Sequence, residues 1–453
     1  MINERFNHFY FIGIGGIGMS AIARLLLERG FAVAGYDKTP SDITQSLSAA
    51  GAHISFADEL QSIPEDMRSP ERTLVIYTPA VPAANVIPGW FRKEQFEMVK
   101  RARALGMITA DGITLAIAGT HGKTTTTTLL AHIMMTAGLD FTAILGGVSA
   151  NYHTNLISRG SDYFVTEADE FDRSFLQLRP AYAAITSMDA DHLDIYGEHE
   201  HMLRAYRDFA GLCTHKLLYR YGLPLASNSS AHMVSYGEGG EIRAENIRIT
   251  AGSFVFDYVG ETSLLNIRCG MPGLHNIENA LAAISLALAI GIPATVIPKA
   301  MASFKGVKRR FEVVWQGNKG IYIDDYAHHP AEINALIRSV RMLYPGKKVL
   351  GVFQPHLFSR TRDFMDGFAE SLSLLDSCWL LDIYPAREMP IEGVNSAALL
   401  EKLNTDKRMV SRDKLPTALA EADWEVLLSI GAGDIDRLVA PIKAELEKRE
   451  EAA

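Results

Sequence analysis

Lys123 and Thr124 stand directly after the turn Gly119-Thr120-His121-Gly122, and Thr125 follows them. A lysine beside a glycine turn can neutralise phosphate oxygens, and a hydroxyl after it can take a place on Mg²⁺. The glycines let backbone N–H groups close around the anion. The full phosphate-loop pattern asks for another glycine five residues before Gly122, where this chain has Ile117, so only the short form GTHGKTT is present. Acids follow in two groups, Glu167-Ala168-Asp169-Glu170 and Asp189-Ala190-Asp191-His192. A hard cation needs oxygen ligands and accepts an imidazole as well, so acids beside a phosphate loop are candidate Mg²⁺ ligands. Asn276 and Asn279 are spaced to share one helix face. Their amides both donate and accept, which suits an adenine edge, although asparagine also serves as a helix cap.

These residues need strands to deliver them. The apolar run Ile113–Ala118 reads as a strand that breaks at Gly119 and opens a helix, and residues 163–166 and 181–188 read as strands carrying the two acid groups. Nearer the N-terminus, a strand over 8–14 runs into Gly13-Ile14-Gly15-Gly16-Ile17-Gly18, a G-x-G-x-x-G turn before a helix over 19–29. The next strand, 31–36, ends at Asp37, near where dinucleotide-binding folds place a ribose-binding acid. A nicotinamide dinucleotide fits this pattern, and so does another diphosphate such as that of a UDP-sugar. The glycines alone do not choose between them. Residues 216–269 alternate strand-like runs with Gly-rich turns and predict an antiparallel extension, and 280–290 predicts a buried helix. Beyond Gly306-Val307-Lys308-Arg309-Arg310-Phe311, strands over 321–323, 348–353, 378–383 and 424–430 each end in a polar cluster, and a parallel sheet would place those ends on one rim.

The expected fold is therefore α/β in three domains. A Rossmann-like domain spans 1–112, a phosphate-loop ATPase-like domain with an antiparallel extension spans 113–307, and a Rossmann-like α/β domain spans 308–453. A formal charge of −9 gives no reason to expect nucleic acid as a partner. Three scattered cysteines argue against a disulfide framework or a zinc site and fit a reducing cytoplasm. The apolar run 9–17 is interrupted by glycines and reads as strand and turn, not as a signal peptide, and 280–290 is too short to span a bilayer. A soluble enzyme is expected.

The order of motifs resembles the Mur ligases of peptidoglycan synthesis. The stretches that carry the resemblance run through all three domains: GIGGIGMS (13–20), AGTHGKTTTT (118–127), EADEFDRSFL (167–176), DADHLDIYG (189–197), GLHNIENALAA (273–283), GVKRRFE (306–312), DDYAHHPAEI (324–333), FQPHLFSRTRDF (353–364) and GAGDI (431–435). The resemblance implies a cytoplasmic ligase, monomer or homodimer, that joins L-alanine to the lactyl carboxylate of UDP-N-acetylmuramate using ATP and Mg²⁺. It implies that Gly15, Gly16 and Gly18 hold the UDP part, and that Gly119 to Thr125 cradle the ATP phosphates with Lys123 in contact. Thr124 would hold one Mg²⁺, and Glu167 with His192 a second. Asn276 and Asn279 would meet the adenine, Arg310 the phosphates and Asp325 the ribose side. His328, His356 and Arg360 would serve the acceptor and the reaction centre, with closure of the third domain over the second as part of the mechanism.

Two departures stand out. Several family members carry a carbamylated lysine after the second acid group, but this chain has no lysine from His192 to His215. Related L-alanine ligases often have a basic residue after the Pro-His pair, where this chain has Leu357, and Arg387 is the candidate replacement for that charge. A sister ligase that joins a murein tripeptide to the same nucleotide sugar is the nearest alternative. A nicotinamide-dependent oxidoreductase built on Gly13 to Asp37 is the alternative from another class.

Overall fold

The structure is a computed structural model that describes residues 5–79, 81–82, 84–190, 193–225, 229–386 and 388–452. The chain divides into two compact units, one made of Met1–Glu245, Asp257–Ile267 and Glu278–Phe304, the other of Asn246–Phe256, Arg268–Ile277 and Lys305–Ala453.

The first unit contains two sheets, one parallel and one parallel except for its edge strand Leu156–Ser158, which pairs antiparallel with Phe141–Ile144. One has five strands in the order His53–Ser55, Ala32–Tyr36, His8–Ile12, Thr73–Tyr77, Glu97–Lys100. The order reverses at His8–Ile12, so the Gly13–Gly18 turn leaves the sheet at a switch point, where open α/β sheets bind ligands. The second has seven strands in the order His232–Tyr236, Lys216–Arg220, Tyr182–Ile185, Ile113–Ala118, Tyr163–Ala168, Phe141–Ile144, Leu156–Ser158. Ile113–Ala118 lies between the two strands that carry the acid groups, which is why the phosphate loop and the acids emerge together. Its last five residues are all buried, as expected of a parallel strand covered on both faces.

The antiparallel extension is shorter than the sequence predicts. Lys216–Arg220 and His232–Tyr236 pair in parallel and continue the seven-stranded sheet. Only Arg243–Thr250, Ser253–Val259 and Leu264–Arg268 form a separate three-stranded sheet. The Gly-rich turn at 237–240 follows the last parallel strand and does not join a hairpin within it. The helix predicted over 280–290 begins earlier and spans Leu274–Ala289, so Asn276 and Asn279 lie inside it. Gly273, at φ +107, supplies the turn that lets it start there.

One buried cluster joins the two sheets of this unit. Ala104, Leu105 and Ile108 of the helix Arg101–Thr109 belong to the same core as Phe175, Leu178 and Phe209. Asn155, buried, donates from Nδ2 to the Ile17 carbonyl at 2.7 Å and to Ser20 Oγ at 3.1 Å, fixing the start of the helix Ile17–Glu28.

The second unit is built on a six-stranded sheet in the order Glu312–Gly317, Gly320–Asp325, Val426–Ile430, Val349–Phe353, Ser377–Leu380, Asp406–Met409. Neither edge strand is predicted by the sequence. Glu312–Gly317 buries only Trp315 and runs antiparallel to its neighbour, and all four residues of Asp406–Met409 are exposed, so neither shows an apolar run. Among the described residues, no helix is long and apolar enough to cross a membrane.

The shared core sets the first expected outcome. Ile108 is fully buried at the seam, and truncating such a side chain costs about 2–5 kcal/mol. Ile108→Ala should lower the denaturation midpoint of the first unit by a corresponding amount in urea titrations. A shift equivalent to less than about 0.5 kcal/mol, the size of an ordinary surface substitution, would contradict a continuous core.

Candidate active site

The phosphate loop is shaped by two left-handed glycines and clamped by the neighbouring strand. Gly119 has φ +138 and Gly122 φ +82, conformations that a residue with a Cβ rarely adopts. Thr186 Oγ1 donates to the Ala118 carbonyl at 3.1 Å and also to the His121 carbonyl. Ser187 Oγ accepts from the His121 amide at 2.7 Å and pairs with Thr120 Oγ1 at 2.9 Å. His121 Nε2 lies 3.5 Å from Asp189. Gly122 sits against the amide oxygen of Asn279, which a Cβ would strike. Thr124 and Thr125 begin the helix Lys123–Ala137 and are buried.

Lys123 is held in a fork of acceptors. Its Nζ donates to the Gly119 carbonyl at 2.5 Å and to both oxygens of Glu170, at 2.7 and 3.0 Å. Glu170 is only 1% exposed. Burial alone would lower the lysine pKa, but the carboxylates of Glu170, Asp169 and Glu167 carry it above the usual value. Burial pushes the Glu170 and Glu167 carboxyls up, and Lys123 opposes this. Glu167 also accepts from Thr124 and, at 2.7 Å, from the Gly146 amide. The loop therefore presents a permanent cation next to a hydroxyl and a carboxylate. Among the described residues no three His, Cys, Asp or Glu side chains gather as a metal cluster. One carboxylate and one hydroxyl nevertheless fit Mg²⁺, which takes few protein oxygens and completes its shell with water and phosphate. His192 and Arg387 lie outside the described residues.

On the first sheet, Gly15 and Gly16 form the turn into the helix Ile17–Glu28, and Gly18 lies in its first turn. Asp37 Oδ2 accepts from the Gly15 amide at 2.7 Å. The acid placed by its spacing to hold a ribose thus braces the glycine turn itself.

In the second unit, Arg310 precedes the strand Glu312–Gly317, Asp325 closes Gly320–Asp325 with His328 just after it, His356 follows Val349–Phe353 and Arg360 lies in the helix Phe358–Asp363. Arg310 lies over the Tyr326 ring at 5.1 Å, with Glu332 at 3.7 Å. Asp325 accepts from the amides of Phe311 and Ala327, each at 2.7 Å, and burial raises its pKa to about 6. His328 Nδ1 faces the Tyr326 carbonyl at 3.0 Å and Glu332 at 3.3 Å, two acceptors, so Nδ1 carries the proton and Nε2 the lone pair. Burial lowers the His328 pKa to about 4, with Arg360 and Arg310 assisting against Glu332. His356 stacks on Tyr384 at 5.7 Å. Leu357 adopts φ +69 at the start of the helix Phe358–Asp363, which carries Arg360. Asn276 donates to the Pro272 carbonyl at 2.6 Å.

Three domain families match in chain order: residues 8–112 match the Mur ligase family catalytic domain, 117–287 the Mur ligase middle domain and 309–433 the Mur ligase glutamate ligase domain. The chain belongs to the Mur ligase family. Within the family it is similar to the UDP-N-acetylmuramate–L-alanine ligase of Flavobacterium psychrophilum, 49% identical over 450 residues that cover 98% of this chain and 99% of the relative. The enzyme of that name from Parabacteroides distasonis is 47% identical over 449 residues, covering 97% of each. Among solved structures, the UDP-N-acetylmuramate–alanine ligase of Thermotoga maritima superposes with a TM-score of 0.82 at 26% identity, covering 98% of this chain and 100% of that one. A murein peptide ligase of Psychrobacter arcticus shares the fold, with a TM-score of 0.72 at 22% identity over 97% of this chain and 98% of that one.

Family motifs point to most of these side chains but not to their partners. Glu170 stands in the quoted EADE stretch, yet nothing in the sequence says that it, and not Glu167, grips Lys123. Thr186 and Ser187 carry no motif signal, and Glu332 reads as an ordinary first-turn helix acid. His275 was readable in GLHN. Burial lowers its pKa to about 4, with Arg310 adding to the effect and Glu332 opposing it.

Both depressed histidines give an expected outcome. His275 and His328 should titrate in NMR spectra with midpoints near 4, below the ordinary imidazole value of about 6.5. The unfolded imidazoles take up protons that the folded ones refuse, so this unit should lose stability as pH falls from 6.5 towards 4. Midpoints between 6 and 7 for both rings would contradict the burial described.

Proposed function

We propose that the chain is a UDP-N-acetylmuramate–L-alanine ligase, converting ATP, UDP-N-acetylmuramate and L-alanine into ADP, phosphate and UDP-N-acetylmuramoyl-L-alanine. The observation that carries this reading is the end-to-end match, at 49% identity, to a relative of that name. The Lys123 loop, with Glu170 against the lysine and Asp189 near His121, fits an ATP-using member of the family.

A carboxylate is a poor electrophile, so the lactyl carboxylate is first phosphorylated by ATP. The L-alanine amine then attacks the acyl carbon and phosphate leaves. Both steps gather negative charge on oxygen, and fixed positive charge aimed at those oxygens is the main resource for lowering the barrier. Lys123 and the loop amides hold the outer phosphates. The resemblance gives Arg310 to the phosphates, Asn276 and Asn279 to the adenine edge and Asp325 to the ribose side. Thr124 would hold one Mg²⁺ and Glu167 with His192 a second, ions that neutralise phosphate charge when bound. Gly15, Gly16 and Gly18 would line the UDP part; the Gly15 amide is taken by Asp37, so the start of the helix Ile17–Glu28 faces the diphosphate. His328 remains a neutral imidazole with a lone pair on Nε2, able to accept a hydrogen bond from the L-alanine amine. His356 and Arg360 orient the acceptor, and Arg387 supplies the charge that Leu357 lacks.

Asp37 adds weight against a nicotinamide dehydrogenase, because its carboxylate already braces Gly15.

The test is ligation measured with L-alanine and with a murein tripeptide as competing acceptors, in wild type, Lys123→Ala and Lys123→Ala/Glu170→Ala. The double variant is included because the single one leaves Glu170 buried and unpaired, a cost of about 3–5 kcal/mol. Wild type should use L-alanine. Both variants should lose at least about 100-fold in kcat, the scale of one preorganised donor, and bind UDP-N-acetylmuramate within about twofold of wild type. Wild-type turnover in either variant would remove the loop lysine from the mechanism.

A further inference from the structure

The glycine turn of the first sheet and the phosphate loop of the second are joined through one side chain to which neither motif points. Arg101 is the first residue of the helix Arg101–Thr109, which is anchored in the shared core by Ala104, Leu105 and Ile108. Its guanidinium lies against Gly18, where a Cβ would collide with Nη1. Its Nη2 donates to Asp169 Oδ2 at 2.9 Å, and about a third of each side chain is exposed, 31% and 35%.

Asp169 passes this contact on. Its Oδ1 accepts from the Phe171 amide at 3.1 Å and its carbonyl from the Phe175 amide at 2.9 Å. The residue between Asp169 and Phe171 is Glu170, whose carboxylate holds Lys123 and whose carbonyl accepts from Tyr196 Oη at 2.6 Å. The same segment carries two consecutive non-glycine residues in the left-handed region, Asp172 at φ +52 and Arg173 at φ +54. Such conformations are unfavourable for residues with a side chain and persist only where surrounding contacts impose them. The turn beneath Lys123 is thus a strained element held by a few contacts, and Arg101 makes one of them from the other sheet.

We propose that Arg101 is a positioning residue that couples the two sites, so that a nucleotide diphosphate on the glycine turn strengthens ATP binding at the phosphate loop. The proposal rests on the ligase reading above. A guanidinium has five donors in a planar fork and can hold a phosphate on one edge and a carboxylate on the other at once, which an ammonium cannot do with the same geometry. A diphosphate at the start of the helix Ile17–Glu28 would engage the Nη1 side, fix the guanidinium against Asp169, and hold the 169–173 turn in the form that presents Glu170 to Lys123. Coupling of this kind is reciprocal, because binding free energies are linked. Lys100, one residue earlier, pairs with Asp172 at 2.5 Å, but half of its side chain is exposed and exposed pairs contribute little. It is the control.

The experiment uses the full chain. Calorimetry gives the Kd of a non-hydrolysable ATP analogue with Mg²⁺, with and without saturating UDP-N-acetylmuramate, in wild type, Arg101→Ala, Arg101→Lys and Lys100→Ala. Thermal midpoints confirm folding. Wild type and Lys100→Ala should show the analogue tightened by about tenfold, within the usual range for linked sites. Both Arg101 variants should bring the ratio to within about twofold of one. Arg101→Lys keeps the charge, so loss of coupling in that variant separates fork geometry from charge. A wild-type ratio preserved in Arg101→Ala overturns the proposal, as does a ratio of one in a wild type that binds both ligands. A wild type that does not bind UDP-N-acetylmuramate at all overturns the ligase reading and the coupling with it.

Discussion

The buried pair of Lys123 and Glu170 is the interaction on which the active centre of the first unit depends. A lysine placed this deep would shed its proton if it stood alone, because desolvation penalises the charged form. Glu170 reverses that outcome, with Asp169 and Glu167 assisting. The pair need not add net stability, since two desolvated charges often do no better than a well-packed apolar pair. What it secures is a cation that stays charged and stays in one place, held also by the Gly119 carbonyl at 2.5 Å. Phosphoryl transfer gathers charge on oxygen, and a cation already in position costs no reorganisation when that charge appears.

The fold supplies this pair by strand order. Ile113–Ala118 delivers the loop, Tyr163–Ala168 the Glu167 to Glu170 acids, and Tyr182–Ile185 the Thr186 and Ser187 hydroxyls that clamp it. All three strands are parallel, so their C-terminal ends meet on one edge. The second unit uses the same rule: Gly320–Asp325, Val426–Ile430 and Val349–Phe353 are parallel neighbours, and Asp325, His328 and His356 follow their ends.

The α/β class, the phosphate loop and the family were legible because they rest on local signals: glycines where left-handed backbone is needed, apolar runs where parallel strands are covered on both faces, and motifs in family order. The parts that were not legible depend on long-range pairing. Lys216–Arg220 and His232–Tyr236 look like hairpin strands, yet they join the main sheet in parallel, a choice made by the strand Tyr182–Ile185 beside them. The exposed edge strands Glu312–Gly317 and Asp406–Met409 have too little apolar surface to announce themselves. Asp37 has the spacing of a ribose ligand and braces Gly15 instead. Arg101, in a basic helix start among other cations, gains meaning only when Asp169, 68 residues away, is found beside it.

The central claim is that the chain activates the lactyl carboxylate by transferring phosphate to it before L-alanine attacks. The most direct measurement follows oxygen. With UDP-N-acetylmuramate labelled with ¹⁸O in the lactyl carboxylate, turnover in the presence of ATP and L-alanine should place one ¹⁸O atom in each phosphate released, in step with ligated product. Phosphate free of label, or released at the same rate without L-alanine or UDP-N-acetylmuramate, would contradict the account.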